Sequence, residues 1–397
     1  MKQLLVRKRN ILLLLIPLGL LLTRWAKSSA QAAEEIFAGG IYKWLSRGMS
    51  LLTGWIPFSL MELIIIVGPV TLLVLIIRQI VKAVKINKPA CTMSETHRDI
   101  MEVQSIGEQR FLLLMTMLQN ILCLVAVIFF GYVILCGVNY HRYPVAYHLG
   151  LVVEDSTREE LEGLYIELAE QAAELRAQLH SVNEAGVYVL PYSEAELGKE
   201  AKKAYEALST QFPVFGGRYP VPKHVFFSRI MSWTEITGVF TPWTMEANVN
   251  IDISPYSIGS TMCHELAHLR GFMREDEANY ISYRACMASA STDLKYSGTM
   301  LALIHTGNAL YGQDAEAYYE LYREHMSPEV SLDLVANNEY WDQFEKPVVG
   351  DTTVGEIADR VNDAYLKAND QEDGTKSYGR VVDLLLAEYK MRHGLIK

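Results

Sequence analysis

From Phe111 to Val138 the chain runs 28 residues without a charged side chain. Crossing the hydrocarbon of a bilayer takes about 20 predominantly apolar residues, and helices buried in soluble domains rarely stay uncharged for longer. The run predicts a membrane-spanning helix over about 111–137, and every other segment must be placed around it. Two apolar runs precede it. Leu63–Ile77 reaches spanning length once the lead-in from Pro57 is counted, with Glu62 near the interface, giving a helix over about 57–77. Ile11–Thr23, behind Arg7, Lys8 and Arg9, gives one over about 10–26. This first run is short, and the small-residue tract Ser28-Ser29-Ala30-Gln31-Ala32 follows it, so it fits both a signal anchor and a cleaved signal peptide.

Charge divides the chain at the same place. Residues 1–138 hold 14 Lys/Arg and 7 Asp/Glu, whereas residues 139–397 hold 22 and 39. The expected organisation is a membrane region over 1–138 and a separate acidic domain over 139–397. Such a domain is a poor partner for nucleic acid, because phosphate neutralisation needs Lys and Arg. Arg78, Lys82, Lys85, Lys88, Arg98 and Arg110 crowd the 78–110 loop, while Lys27, Lys43 and Arg47 are sparse between the first two runs. The positive-inside rule then puts 78–110 in the cytoplasm, and residues after Val138 outside it. The expected location is a multi-pass protein of the cell membrane.

The acidic part reads as α+β and mostly helical. Leu161, Leu164, Tyr165, Leu168, Ala172, Leu175 and Leu179 recur at helical spacing over Thr157–Ser181, and Ser193–Gln211 predicts a second helix. His224–Ser228, Gly238–Thr241 and Ala247–Ile251 predict three short strands. After Pro255 the pattern is helical to the end, with breaks near Gly271, Gly312, Pro328, Pro347–Gly350 and Gly374.

The chemistry sits just past the last strand, in Cys263-His264-Glu265-Leu266-Ala267-His268. On a helix His264 and His268 share one face, with Cβ atoms about 5–6 Å apart, which suits two imidazole ligands of one tetrahedral Zn²⁺. Glu265 would then act as general base toward a water polarised by the metal. A third ligand is needed, and the acids of Arg274-Glu275-Asp276-Glu277-Ala278-Asn279 follow a turn at Gly271. Glu275 and Glu277 point to different faces of a helix, so only one of them can serve; the other is a solvated acid of the first turn, where the helix dipole favours it. An oxyanion donor is expected from Tyr, His or Arg, and His305, Tyr378 and Arg380 are the candidates. Cys263 and Cys286 flank the site and can pack as thiols or pair as a disulfide. Cys123 and Cys136 read as apolar filler of the third run.

His264-Glu265-Leu266-Ala267-His268 followed by Glu275-Asp276-Glu277-Ala278-Asn279 resembles the gluzincin pattern, His-Glu-x-x-His plus Glu-x-x-x-Asp, of membrane metallopeptidases such as HtpX and the CAAX prenyl proteases. The chain more closely resembles an uncharacterised family of bacterial membrane proteins with a zincin-like C-terminal domain, sharing His-Glu-x-Ala-His-x-x-Gly-Phe, Glu-Ala-Asn-Tyr and the Ser377–Leu385 tract. The resemblance implies a zincin-like fold, with Glu275 as third ligand and Asn279 in the place of the orienting aspartate. Two departures stand out: the gap from His268 to Glu275 is much shorter than in the CAAX-type enzymes, and Asn279 carries no charge.

Two functions follow as expectations. One is a membrane-anchored zinc metallopeptidase acting on a peptide or protein substrate. The other is a zinc-stabilised sensor or interaction module without turnover, for which Glu265 would be superfluous. An intramembrane protease fits less well, since the motif lies about 126 residues past the last apolar run, outside any spanning length.

Overall fold

The computed structural model of the chain describes residues 8–85, 106–345, 353–369 and 380–395. The chain divides into two compact units, Met1–Trp25 with Met61–Ile134, and Ala26–Leu60 with Leu135–Lys397. Up to residue 135 the described helices are α1 (Lys8–Ser28), α2 (residues 30–53), α3 (Leu60–Val84) and α4 (Ile106–Leu135).

The first unit holds the apolar helices. α1, α3 and α4 carry stretches of 21, 25 and 29 residues, each long and apolar enough to cross a membrane. At a rise of about 1.5 Å per residue each exceeds the ~30 Å of hydrocarbon. The short first run thus belongs to a helix of spanning length. α3 starts at Leu60, three residues later than expected, because Pro57 and Phe58 lie in a turn. It then continues through Arg78 and Lys82, good helix formers that extend it past its apolar run into the expected 78–110 loop. α1 and α4 meet at Gly19, where a Cβ would stand 2.7 Å from the Phe129 ring. Nearer the start of α1, Arg9 donates to Gln119 Oε1 at 3.2 Å.

The second unit begins earlier than the expected boundary at 138, because it includes residues 26–60. α2 bonds to the C-terminal residues through polar groups that hydropathy cannot flag. Tyr42 donates to the His268 carbonyl at 3.1 Å, and Glu34 takes a two-pronged ion pair from the buried Arg142, at 2.6 and 2.8 Å. Arg47 donates to the Gly216 carbonyl at 2.9 Å. Much of α2, Ala33–Tyr42, is wound as a π-helix.

Beyond α4, a tight turn over Gly137–His141 leads to the short α5 (Val145–Leu149), then α6 (Arg158–Ala177) and α7 (Glu194–Gln211). Both long helices start at reciprocal caps, Thr157 with Glu160 and Ser193 with Glu196. α6 buries the expected stripe from Leu161 to Ala172 but ends at Ala177, short of Ser181. β1 (Lys223–His224) is shorter than its predicted run; the chain then turns through Phe226 and Phe227 into α8 (Ser228–Ser232). β2 (Gly238–Thr241) and β3 (Glu246–Val249) complete a sheet of order β1-β3-β2, with β1 parallel and β2 antiparallel to β3.

The rest is helical: α9 (Pro255–Leu269), α10 (Glu275–Ala288), α11 (Thr292–Gln313), α12 (Ala315–His325), α13 (Pro328–Asp342), α14 (Val354–Ala368) and α15 (Val381–His393). α9, α10 and α11 pack on one another at the centre, with the sheet against α9. Close approach is possible because Gly298 faces Cys286, whose Cβ a side chain at 298 would meet at 2.4 Å. Cys263 and Cys286 are unbridged thiols inside this core, and burial with a hydrogen bond to Cys263 pushes the Cys286 thiol well up.

Candidate metal centre

α9 starts with Pro255 at its first position, where the missing N–H costs no hydrogen bond. Nearly every residue from Tyr256 to Leu269 is buried, since strand and helices cover α9 on several sides. His264 and His268 therefore project into the protein. Gly271 (φ 85°) adopts the left-handed turn that reverses the chain, and α10 begins at Glu275 pointing back at the histidines.

His264 Nε2 and His268 Nε2 lie 3.0 Å apart, and the Glu275 carboxylate stands 3.1 Å from the first and 3.6 Å from the second. These donor atoms all lie within 4.8 Å of one another, close enough for the three side chains to face a single metal ion. Proton positions point the same way. His268 Nδ1 faces the Phe272 carbonyl at 2.7 Å and His264 Nδ1 faces Asn279 Oδ1 at 2.8 Å. Both oxygens only accept, so each Nδ1 carries a proton, and the two Nε2 atoms turn toward the space beside the Glu275 carboxylate.

Without a metal the charges settle unevenly. Burial works against a charge on His264, but the hydrogen bond and attraction of Glu275 outweigh it and raise its pKa to about 9. Burial dominates at His268 and lowers it to about 4. Burial would raise Glu275, yet the two histidines hold it below its ordinary value. Glu265 is 3% exposed, and burial pushes it up to about 8. Its Oε2 has no hydrogen-bond partner among the described residues.

These groups line one cavity of about 830 Å³. His305 of α11 lies in its wall, and burial lowers its pKa to about 4, leaving a neutral imidazole. Glu277 is elsewhere: it accepts from the Val145 backbone N–H at 2.9 Å and from Arg274 at 2.8 Å. Arg380 is also elsewhere, 3.7 Å from Asp276 in a second cavity. Tyr378 lies outside the described residues. Cys136 is not inside a spanning helix but lines the His264 cavity just past the end of α4.

Sequence reasoning missed several neighbours. Gly238 of β2 leaves the room Glu265 occupies, since a Cβ there would lie 2.4 Å from Glu265 Oε1. A glycine in a strand is a recognised mark of close approach, so this signal was present. Tyr42, which holds the His268 carbonyl, is 226 residues away and carried no signal. Tyr365 of α14, accepting from Tyr140 at 3.2 Å, closes another wall.

A family model described as "Protein of unknown function (DUF3810)" matches residues 37–386. The chain belongs to the DUF3810 family. The DUF3810 match takes in most of α2, α3, α4 and every residue of the candidate centre. No curated protein and no solved structure matches the chain.

Proposed function

We propose that this DUF3810 chain is a membrane-anchored, zinc-dependent metallopeptidase with a zincin-like catalytic domain. The observation that carries the reading is the convergence of two imidazole Nε2 atoms and the Glu275 carboxylate beside a buried glutamate. His264, His268 and Glu275 would hold the ion. Bound zinc would supply Lewis acidity, lowering the pKa of a water and polarising a carbonyl.

The chain's own residues supply the rest. Glu265, buried beside the histidines and ionised once a cation occupies the site, would take the proton of the attacking water and pass it to the departing amine. His305, a neutral imidazole in the cavity wall, would donate toward developing negative charge. β2 is the outer strand of the sheet, and Val239 and Phe240 line the cavity, so an extended peptide can lie along it by strand addition. The basic 78–110 loop supports a cytoplasmic position for that loop and an outward-facing catalytic domain.

The test is zinc content and peptide hydrolysis of the full chain in detergent, with Glu265→Gln alongside. The expected result is about one zinc per chain in both and at least a hundredfold loss of hydrolysis in the variant. A zinc-loaded wild type that cleaves no peptide in a diverse library would leave the non-catalytic module; a folded chain without zinc would sink both readings.

A further inference from the structure

The helix that joins the first two apolar segments shows large apolar side chains on its outer face. On α2 the buried face carries Ala33, Phe37, Ala38 and Tyr42 together with Glu34, Ser46 and Ser50, and its polar groups are bonded within their own domain. Beyond Glu35 the outward face is apolar: Trp44 is 79% and Leu52 74% exposed, and in the turn that follows Trp55 is 89% and Phe58 54% exposed. Trp44, Gly48 and Leu52 fall four residues apart, so they form one stripe. Ile36 and Ile41, five apart on the π-helical part, are exposed as well. Single exposed apolar residues are ordinary, but a continuous stripe with two tryptophans marks a surface that something covers.

Chain connectivity says what covers it. α1 ends at Ser28, and Ser29 breaks the helix with extended backbone (φ −153°, ψ 96°) while its hydroxyl caps α2. α2 then runs 24 residues, about 36 Å. Only residues 54–59 separate it from α3, a reach of about 20 Å fully extended. With α1 and α3 as consecutive spans, both ends of α2 stay close to the same membrane face. A helix of that length so tethered cannot stand upright; it lies along the membrane. Tryptophan is enriched at the boundary between headgroups and acyl chains, and helices with this pattern bury their apolar face there by about 5–10 Å.

We infer that α2 and the 54–59 turn form an interfacial membrane-binding surface, with Trp44, Leu52, Trp55 and Phe58 set into the headgroup–acyl boundary of the bilayer that α1 and α3 cross. The inference is independent of the zinc reading. It makes one helix both the lipid contact and, through Tyr42, a support of the histidine helix.

The test uses the full chain in phosphatidylcholine–phosphatidylglycerol liposomes, with benzoylphenylalanine placed at Trp44, at Trp55 and at Tyr319, which is 55% exposed on α12. Irradiation is followed by intact-mass analysis, and zinc content is read on the same samples so that the two proposals stand or fall separately. Lipid adducts at 44 and 55, at least tenfold above 319, are expected. Covalent dimers at 44 and 55 would instead make the stripe a contact between copies. Equal yields at all three sites, or no adducts at 44 and 55, would also overturn the inference. A second measurement avoids the probe: quenching of tryptophan fluorescence by brominated phosphatidylcholine must weaken in Trp44→Phe/Trp55→Phe, and unchanged quenching counts against the proposal.

Discussion

A methyl group at position 238 would meet Glu265 Oε1 at 2.4 Å and Thr261 Cγ2 at 2.8 Å. Gly238→Ala must therefore displace the glutamate while leaving the three ligands in place. Zinc content is expected to stay near that of the wild type while kcat for peptide hydrolysis falls about tenfold to a hundredfold, as about 1 Å of misplacement costs. A native kcat in that variant would remove Glu265 from its assigned role. Asn279 makes a different prediction, because it touches the metal ligand and not the reacting atoms. Its amide oxygen holds His264 Nδ1–H at 2.8 Å, so Asn279→Ala should weaken zinc binding by about 10–100-fold in competition with a chromophoric chelator. Asn279→Asp should restore it, since a carboxylate is the stronger acceptor. At this scale the site was half legible in the sequence. His264, His268 and Glu275 lie within 12 residues, and helix geometry alone brings the first two together. Gly238, His305 and Tyr365 arrive on a strand and two other helices, and no local period encodes such meetings.

Capped helices were the most legible elements: Thr157 and Ser193 stand where α6 and α7 begin, each with its glutamate three residues on. α2 was the least legible. Apolar side chains stand on both of its faces, Phe37 inside and Trp44 and Leu52 outside, and Glu34, Ser46 and Ser50 are buried among them, which blurs the periodicity on which helix reading depends. The buried Glu34 gives it a pH signature. Burial alone would raise Glu34, but its bonds to His148 and Arg142 lower it to about 2 from an ordinary 4.5. The unfolded chain thus binds a proton that the folded one refuses between those values. The contribution is complete above about pH 4.5 and is lost as pH falls toward about 2. Partial solvent screening leaves about 1–2 kcal/mol at neutral pH. Glu34→Gln should lower the thermal midpoint at pH 7 and lessen its fall between pH 4.5 and 3; a parallel fall in both proteins would show that the ion pair contributes nothing. Tyr42→Phe removes one of two donors to the His268 carbonyl, the Gly271 N–H remaining, at a cost of about 1 kcal/mol in thermal unfolding.

For the whole molecule, hydropathy and charge pick out the three long apolar helices, whereas contacts draw residues 26–60 into the second unit. They weigh each residue by its own chemistry, and α2 belongs to that unit through contacts with residues more than 100 positions away. Dividing the chain at 138 takes Glu34 away from Arg142, which is 3% exposed in the intact chain, and opens that buried ion pair to water. It also removes Arg47 from the Gly216 carbonyl and Tyr42 from the His268 carbonyl. These losses fall on a domain whose whole stability is ordinarily only about 5–15 kcal/mol. A fragment of residues 139–397 is therefore expected to show no cooperative thermal transition and less than about a tenth of a zinc per chain, occupancy being coupled to folding. Residues 26–60 joined to 135–397 by a flexible Gly/Ser linker, purified in mild detergent to shield Trp44 and Trp55, should unfold cooperatively and bind zinc in full. If the shorter fragment melted cooperatively with the same zinc content, α2 would be an attachment and not a part of the second unit's fold, and the support that Tyr42 gives to His268 would carry no weight.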